Sequence, residues 1–231
     1  MIRVESFIEA LAAMGLKDVF NPYTDRCEIH DKPNAPALRR KNLRAFLKAA
    51  STRPIDSIWI ARDLGYRGGR RTGLPLTDEV HLPAFSQVFG GLKLHRATIG
   101  PPVAERTAAI VWRMLRCISV PVFLWNVFPF HPYLPGAPLS NRCHSVRERR
   151  ASESFLINLL DMLQPRRIIA IGGDAHRVVT ALGCSDCYYV RHPSYGGQNA
   201  FIAGIAELYG CPTDAGATAM PSLLCSASAQ A

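Results

Sequence analysis

Apolar residues recur at helical spacing in 4–14 (VESFIEALAAM) and 36–50 (PALRRKNLRAFLKAA), the stripe that lets a helix bury one side. Asn34 or Asp31 can open the second helix, with Pro36 in its first turn, where a missing N–H costs little. The pattern then changes. Ile55–Ala61 is a short β-branched run suited to a buried strand. Beyond it the chain alternates: a helix over 104–118, a strand over Val120–Trp125, and a charge-rich helix over 146–163. A strand over Ile168–Ile171, a helix over 175–182, a strand over Cys187–Val190 and a helix over 198–209 follow. Strands separated by helices imply βαβ crossovers and hence a parallel sheet.

Parallel sheets bind ligands beyond the carboxyl ends of their strands, and this chain puts a polar cluster at each such end. Asp63 follows the first strand, Asn126 the second, Gly172-Gly173-Asp174 the third and His192 the fourth. Loops far apart in sequence are thereby expected on one edge. No internal repeat is visible, and residues 1–210 are expected to form a single domain. From Cys211 onward (CPTDAGATAMPSLLCSASAQA) the residues are small and polar without a period, so 211–231 is expected to be a loosely ordered tail.

Composition adds a partner and a compartment. The 231 residues carry 27 Lys and Arg against 18 Asp and Glu, a net charge of +9. Such a balance suits a polyanion such as nucleic acid, or else a basic surface kept for solubility. Seven scattered cysteines, an odd number, suggest reduced thiols rather than a disulfide framework. No apolar run approaches the ~18 residues that span a bilayer. Two glutamates interrupt the first apolar stretch, MIRVESFIEALAAMG, which argues against a signal peptide. A soluble, cytoplasmic monomer without membrane contact is expected.

Several motifs have competing readings. GYRGGRRTG (65–73) looks like a phosphate cradle but matches neither GxxxxGK[ST] nor GxGxxG. Its arginines, Arg67, Arg70 and Arg71, can equally hold a nucleic-acid backbone, or the loop is simply exposed. Cys184, Cys187 and His192 begin like a zinc knuckle, yet Gly197 stands where the fourth ligand would follow. No cysteine spacing suggests an iron–sulfur cluster. Asn126, inside WNVFPFHP, is either a turn-capping amide or a donor–acceptor pair for a planar ligand. His192, inside RHPSYGG, is structural or catalytic, and its place on the same edge as Asp63 and Asn126 favours the second.

Taken in order, ARDLG (61–65), WNVFPFHP (125–132) and HPSYGG (192–197) resemble the motifs of the uracil-DNA glycosylase superfamily, over about residues 20–210. The resemblance implies a three-layer α/β/α fold with a central four-stranded parallel sheet and a DNA groove across the strand ends. It implies hydrolysis of the bond between uracil and deoxyribose, in single- or double-stranded DNA, as the opening step of base excision repair. No metal or cofactor is implied. Asp63 and His192 take the catalytic positions, and Arg62, Asp63, Tyr66, Leu76, Asn126 and His192 the uracil pocket. Arg67, Arg70, Arg71, Ser194, Tyr195 and Gly196 take the DNA contacts.

The chain departs from the pattern at three positions. Gly65 stands where the best-known branch has a tyrosine that excludes thymine's methyl group, so Tyr66 or another side chain is expected to serve there. Leu76 replaces a stacking phenylalanine, with Phe128 as the candidate to compensate. Gly196 replaces a leucine that wedges into the duplex, leaving Tyr195 or Arg191 to fill the gap, or flipping to depend more on pinching the backbone. Two other classes stay open: a protein that binds nucleic acid or damaged bases without cleaving them, and a small-molecule hydrolase or nucleotide-binding enzyme on a similar sheet.

Overall fold

A computed structural model describes residues 4–184 and 186–213. In chain order these form α1 (Val4–Ala13), β1 (Val19–Phe20), α2 (Ala35–Ala50), β2 (Ser57–Asp63), α3 (Gly69–Thr72), α4 (Leu82–Val88) and α5 (Arg106–Leu115). There follow β3 (Val122–Phe128), β4 (His131–Pro132), α6 (Val146–Leu163), β5 (Arg167–Ile171), α7 (Gly173–Ala181), β6 (Cys187–Val190) and α8 (Gln198–Tyr209). Strands β3, β2, β5 and β6, in that order, make one parallel sheet, and helices flank it in a three-layer α/β/α arrangement. β1 and β4 pair antiparallel as a separate ribbon, Val19 opposite Pro132 and Phe20 opposite His131.

The strand order creates the place for a site. From β2 the chain moves to β3 on one side, then returns through α6 to β5 on the other side of β2. Connections therefore diverge at the β2–β5 boundary, and a crevice opens there beyond the strand ends.

Burial explains why these strands read as apolar runs. Ser57–Ala61 of β2 and all of β3 are buried, as strands covered on both faces must be. Phe46 of α2 stacks on Phe123 with ring centroids 4.1 Å apart, and Trp59 donates its indole N–H to the Tyr209 hydroxyl at 2.8 Å. In α5, Ala108, Val111, Trp112 and Leu115 are all buried, the stripe expected from the sequence.

Two boundaries differ from expectation. The first two sheet strands run to Asp63 and Phe128 rather than stopping at Ala61 and Trp125. Asn126 pairs in register with Ala61, and Phe128 with Asp63. The ladder continues through these polar residues because each strand's backbone is satisfied by its neighbour. α3, α4 and the β1–β4 ribbon are additions to the expected elements, being too short to display a period. Residues 214–231, most of the expected tail, lie outside the described residues. Among the described residues no helix is long and apolar enough to cross a membrane.

Candidate active site

A cavity of about 340 Å³ occupies the β2–β5 crevice, within the ~300–1,000 Å³ typical of small-molecule sites. Arg62 and Asp63 enter it from β2, Gly172 from the turn after β5, Asp174 from the first turn of α7, and His192 and Tyr195 from the loop after β6. Leu76 and Glu105 come from the long connection between β2 and β3.

Asp63 is held on both carboxylate oxygens. Oδ2 accepts from Arg62 Nε at 2.6 Å, and Oδ1 meets His144 Nδ1. The other arm of Arg62 reaches Asp174 at 3.0 Å, so one guanidinium spans β2 and the start of α7. His144 arrives through a local sequence signal. Ser145 and Glu148 form a reciprocal capping box that fixes the start of α6, and the residue before the cap is thereby aimed at β2. Hydrogen bonds from Arg142 at 2.6 and 2.9 Å hold the Glu148 carboxyl down to about 2 and brace the same turn.

The tautomer of His192 follows from its neighbours. The backbone N–H of Ser194 donates to Nδ1 at 3.2 Å, so Nδ1 is an acceptor and the nearby Ser194 hydroxyl, at 2.7 Å, donates to it as well. In the neutral ring the proton then sits on Nε2. Burial, with Arg62 and Arg191 close by, pushes the imidazole down to about 4, so the ring is neutral across the physiological range. Gly172, at φ +90°, passes close enough that a Cβ there would press on the Cβ of His192.

Leu76 lines the cavity with φ at +54°, a conformation that costs a branched residue about 1–3 kcal/mol and persists only where the surroundings impose it. Thr72 imposes it: its Oγ1 accepts from Leu74 N–H at 3.1 Å and lies 3.0 Å from the Thr77 carbonyl.

Other expected residues fall elsewhere. Asn126 sits behind the cavity lining, its Nδ2 donating to the Asp63 carbonyl at 3.0 Å and its Oδ1 buried without a hydrogen-bond partner. Tyr66 uses its backbone N–H to hold Asn141 at 3.0 Å and is not part of the lining. Phe128 is buried against His144 and Phe130, away from the lining. Arg67 and Gly196 are exposed near the rim, and Tyr195 stands 96% exposed at φ +50°.

Arg70 and Arg71 correct the sequence reading. Only 4% and 7% exposed, they point into the protein rather than toward DNA. Arg70 lies over the Phe20 ring, 4.1 Å from its centroid, and Arg71 donates to Glu79 at 2.9 Å. A buried guanidinium needs acceptors, and this loop supplies them.

Sequence reasoning missed His144 and Glu105. The SxxE capping box was the available signal for His144. Glu105 occupies the N-cap of α5 but makes no side-chain cap. Its carboxyl instead lies against Gly65 and Gly68, where a Cβ on either glycine would collide with it. The loop that resembled a phosphate cradle is the seat of this carboxyl. Among the described residues no group of three or more His, Cys, Asp or Glu is placed to hold a metal ion.

No protein-family model matches the sequence, and no curated protein matches it. Among solved structures the chain is similar to SMUG2 from Pedobacter heparinus, with a TM-score of 0.60 at 12% identity, over 90% of this chain and 95% of that one. The likeness is one of fold, and it covers nearly the whole of the three-layer α/β/α arrangement.

Proposed function

We propose that the protein is a DNA glycosylase that hydrolyses the N-glycosidic bond of a flipped-out deoxyuridine and leaves an abasic site. One observation carries this reading: Asp63 and His192, 129 positions apart, face one base-sized cavity at the switch point of the sheet. A base inside a duplex must leave the stack to reach such a cavity, at a cost of a few kcal/mol.

Bond cleavage places positive charge on the sugar and negative charge on the departing base. The Asp63 carboxylate stands ready for the first. At about 4 Å and an effective dielectric near 20, that attraction is on the order of 4 kcal/mol, of which only the part absent from the ground state accelerates the reaction. The same carboxylate can orient the attacking water. His192, with its proton on Nε2, is a fixed neutral donor for the oxygen that gains charge. Asn126 brings an amide with a free acceptor close behind Asp63, suited to a ring N–H that reaches it.

DNA contacts fall to Arg67, Arg191, Ser194 and Tyr195 at the rim, with Gly196 in the same loop. A second cavity of about 420 Å³ shares Arg62 and Asp174 with the first and adds Arg149 and Arg177, a basic path for a strand leaving the site. Tyr195, a large ring held in water, is the side chain suited to fill the gap a flipped nucleotide leaves.

Full engagement of both Asp63 oxygens favours a rival, a protein that binds the base without cleaving it. Incubation with a uracil-containing oligonucleotide, followed by alkali, separates the two. Strand scission at the uracil supports the glycosylase, and an intact strand with retained binding supports the rival.

A further inference from the structure

We propose that Glu105 is a base-contacting residue of this cavity, its carboxyl donating a hydrogen bond to an exocyclic oxygen of the flipped base. The inference rests on the glycosylase reading and adds a residue that neither the motifs nor the fold comparison supplies.

Geometry places the group. Glu105 lines the same cavity as Asp63, His192 and Leu76. Its backbone is fixed, because its N–H donates to Asp78 Oδ2 at 2.6 Å and its carbonyl accepts from Ala109 N–H at 3.0 Å. Its side chain lies along Gly65 and Gly68, and only the missing Cβ atoms leave room for it. Yet its carboxyl oxygens make no hydrogen bond and no ion pair among the described residues. The fully buried acids Glu79 and Asp78, unlike half-buried Glu105 on the cavity wall, are saturated. Glu79 is held by Arg71, Thr98 and the Val103 N–H, and Asp78 by His81 and two backbone N–H groups. An acid left without partners on a cavity wall is built to meet something that enters.

The surroundings decide its form. Burial, then the neighbouring Asp78 charge, raise the Glu105 carboxyl to about 7, with Arg67 opposing them. Asp78, on the segment before α4, and Arg67, on the loop after β2, are the charges that act on it. Across the cavity stand Arg62 and Asp63 of β2 and Asp174 of α7. Arg142 precedes α6, and Arg191 and His192 follow β6. A neutral carboxyl carries one O–H donor, which an exocyclic oxo group can accept, and the ionised form carries none. Once ionised, the group only accepts and repels the oxygen it had held.

The test is excision of uracil from an oligonucleotide between pH 5.5 and 9, by wild type, Glu105→Gln and Glu105→Ala. The expected wild-type profile loses activity on the alkaline side as the carboxyl ionises, about tenfold for each pH unit beyond the limb. Glu105→Gln keeps a donor at every pH, so its alkaline limb should vanish. Glu105→Ala should be slow throughout, with no limb. Arg67→Ala should move the wild-type limb to higher pH, because it removes the one cation opposing protonation. Matched thermal unfolding midpoints of the Gln variant and wild type show that the fold is intact. An alkaline limb that survives unchanged in Glu105→Gln, or full activity in Glu105→Ala, overturns the assignment while leaving the glycosylase reading in place. Absence of excision by wild type itself sinks both.

Discussion

Arg70 and Arg71 differ from Arg62 and Arg67 although all four belong to one short stretch. The first pair turns inward. Arg70 covers Phe20 and donates to the Pro138 carbonyl, while Arg71 holds Glu79 at 2.9 Å and the Thr98 hydroxyl at 3.3 Å. Arg39 of α2 donates to the Arg71 carbonyl at 3.1 Å and pairs with Asp31, so the inward set ties helix to loop. The second pair stays near the cavity mouth, Arg62 bridging Asp63 and Asp174 and Arg67 exposed to water. Charge counted along a sequence is therefore not charge offered to a partner. A guanidinium carries five donors and goes inside when acceptors are arranged around it. The inward pair sets the path of the loop that delivers Leu76 and seats Glu105, while Arg62 lines the cavity and Arg67 stays exposed.

The sharpest separation comes from breaking the inward set. Arg71→Ala leaves buried Glu79 with only the more distant Arg96, at 3.8 Å, as a cation, and removing one partner of a buried pair costs about 3–5 kcal/mol. Chemical denaturation should show that loss, while the salt dependence of DNA binding by the folded fraction stays as in wild type. A variant as stable as wild type would mean that Arg71 is not the anchor its burial implies. Asp63→Asn, beside the outward set, should do the reverse. It should lower excision between about ten- and a thousandfold, the range given by up to ~4 kcal/mol of transition-state attraction, with binding nearly intact. The glycosylase reading is falsified if that variant excises uracil at the wild-type rate. His192→Ala should also lose rate, through the donor rather than the anion.

A third effect lies in the inward region alone. His131, fully buried, has its imidazole pushed down to about 4 by burial and then by Arg70. The unfolded chain takes up that proton near pH 6.5 and the native protein does not, so stability is present above about 6.5 and is lost as pH falls toward 4. Between pH 7.5 and 5 the loss is about 2 kcal/mol from this group. Urea midpoints measured across that range should fall with acid, and His131→Gln should flatten the slope. An equally steep slope in that variant would assign the acid loss elsewhere, His192 being the next candidate with the same sign.

How much of this was legible in the sequence follows the same division. Apolar runs marked all four sheet strands, and the polar residues at their ends marked the edge where the cavity opens. Asp63, His192, Leu76 and the Tyr195 loop reach that edge because local chemistry and connectivity both point there. The strand limits differ for a physical reason: Asp63 and Asn126 look like terminators, but their backbones remain in the ladder. Asn126 was expected in the lining and instead stands behind it, because its amide is drawn to the Asp63 carbonyl. Arg70 and Arg71 read as exposed because their acceptors, Pro138 and Glu79, are supplied by other parts of the fold. His144 and Glu105 stand beside helix starts, and only the spatial return of those helices to β2 and to Gly65 gives them a role.

The smallest expected effect tests the outward set. Arg67 and Arg191 are exposed at the rim, and neither takes part in a salt bridge among the described residues. Removing a cation that touches phosphate should weaken binding alike for every sequence and reduce the slope of log K against log salt by about 1. Arg67→Ala and Arg191→Ala should therefore leave the unfolding midpoint unmoved and make binding less salt-sensitive, each by a single charge. Arg71→Ala, corrected for its folded fraction, should leave that slope alone. Should Arg71→Ala flatten the salt dependence while Arg67→Ala and Arg191→Ala do not, the inward and outward roles would have to be exchanged. DNA binding would then have to open the loop that now buries Arg71 against Glu79.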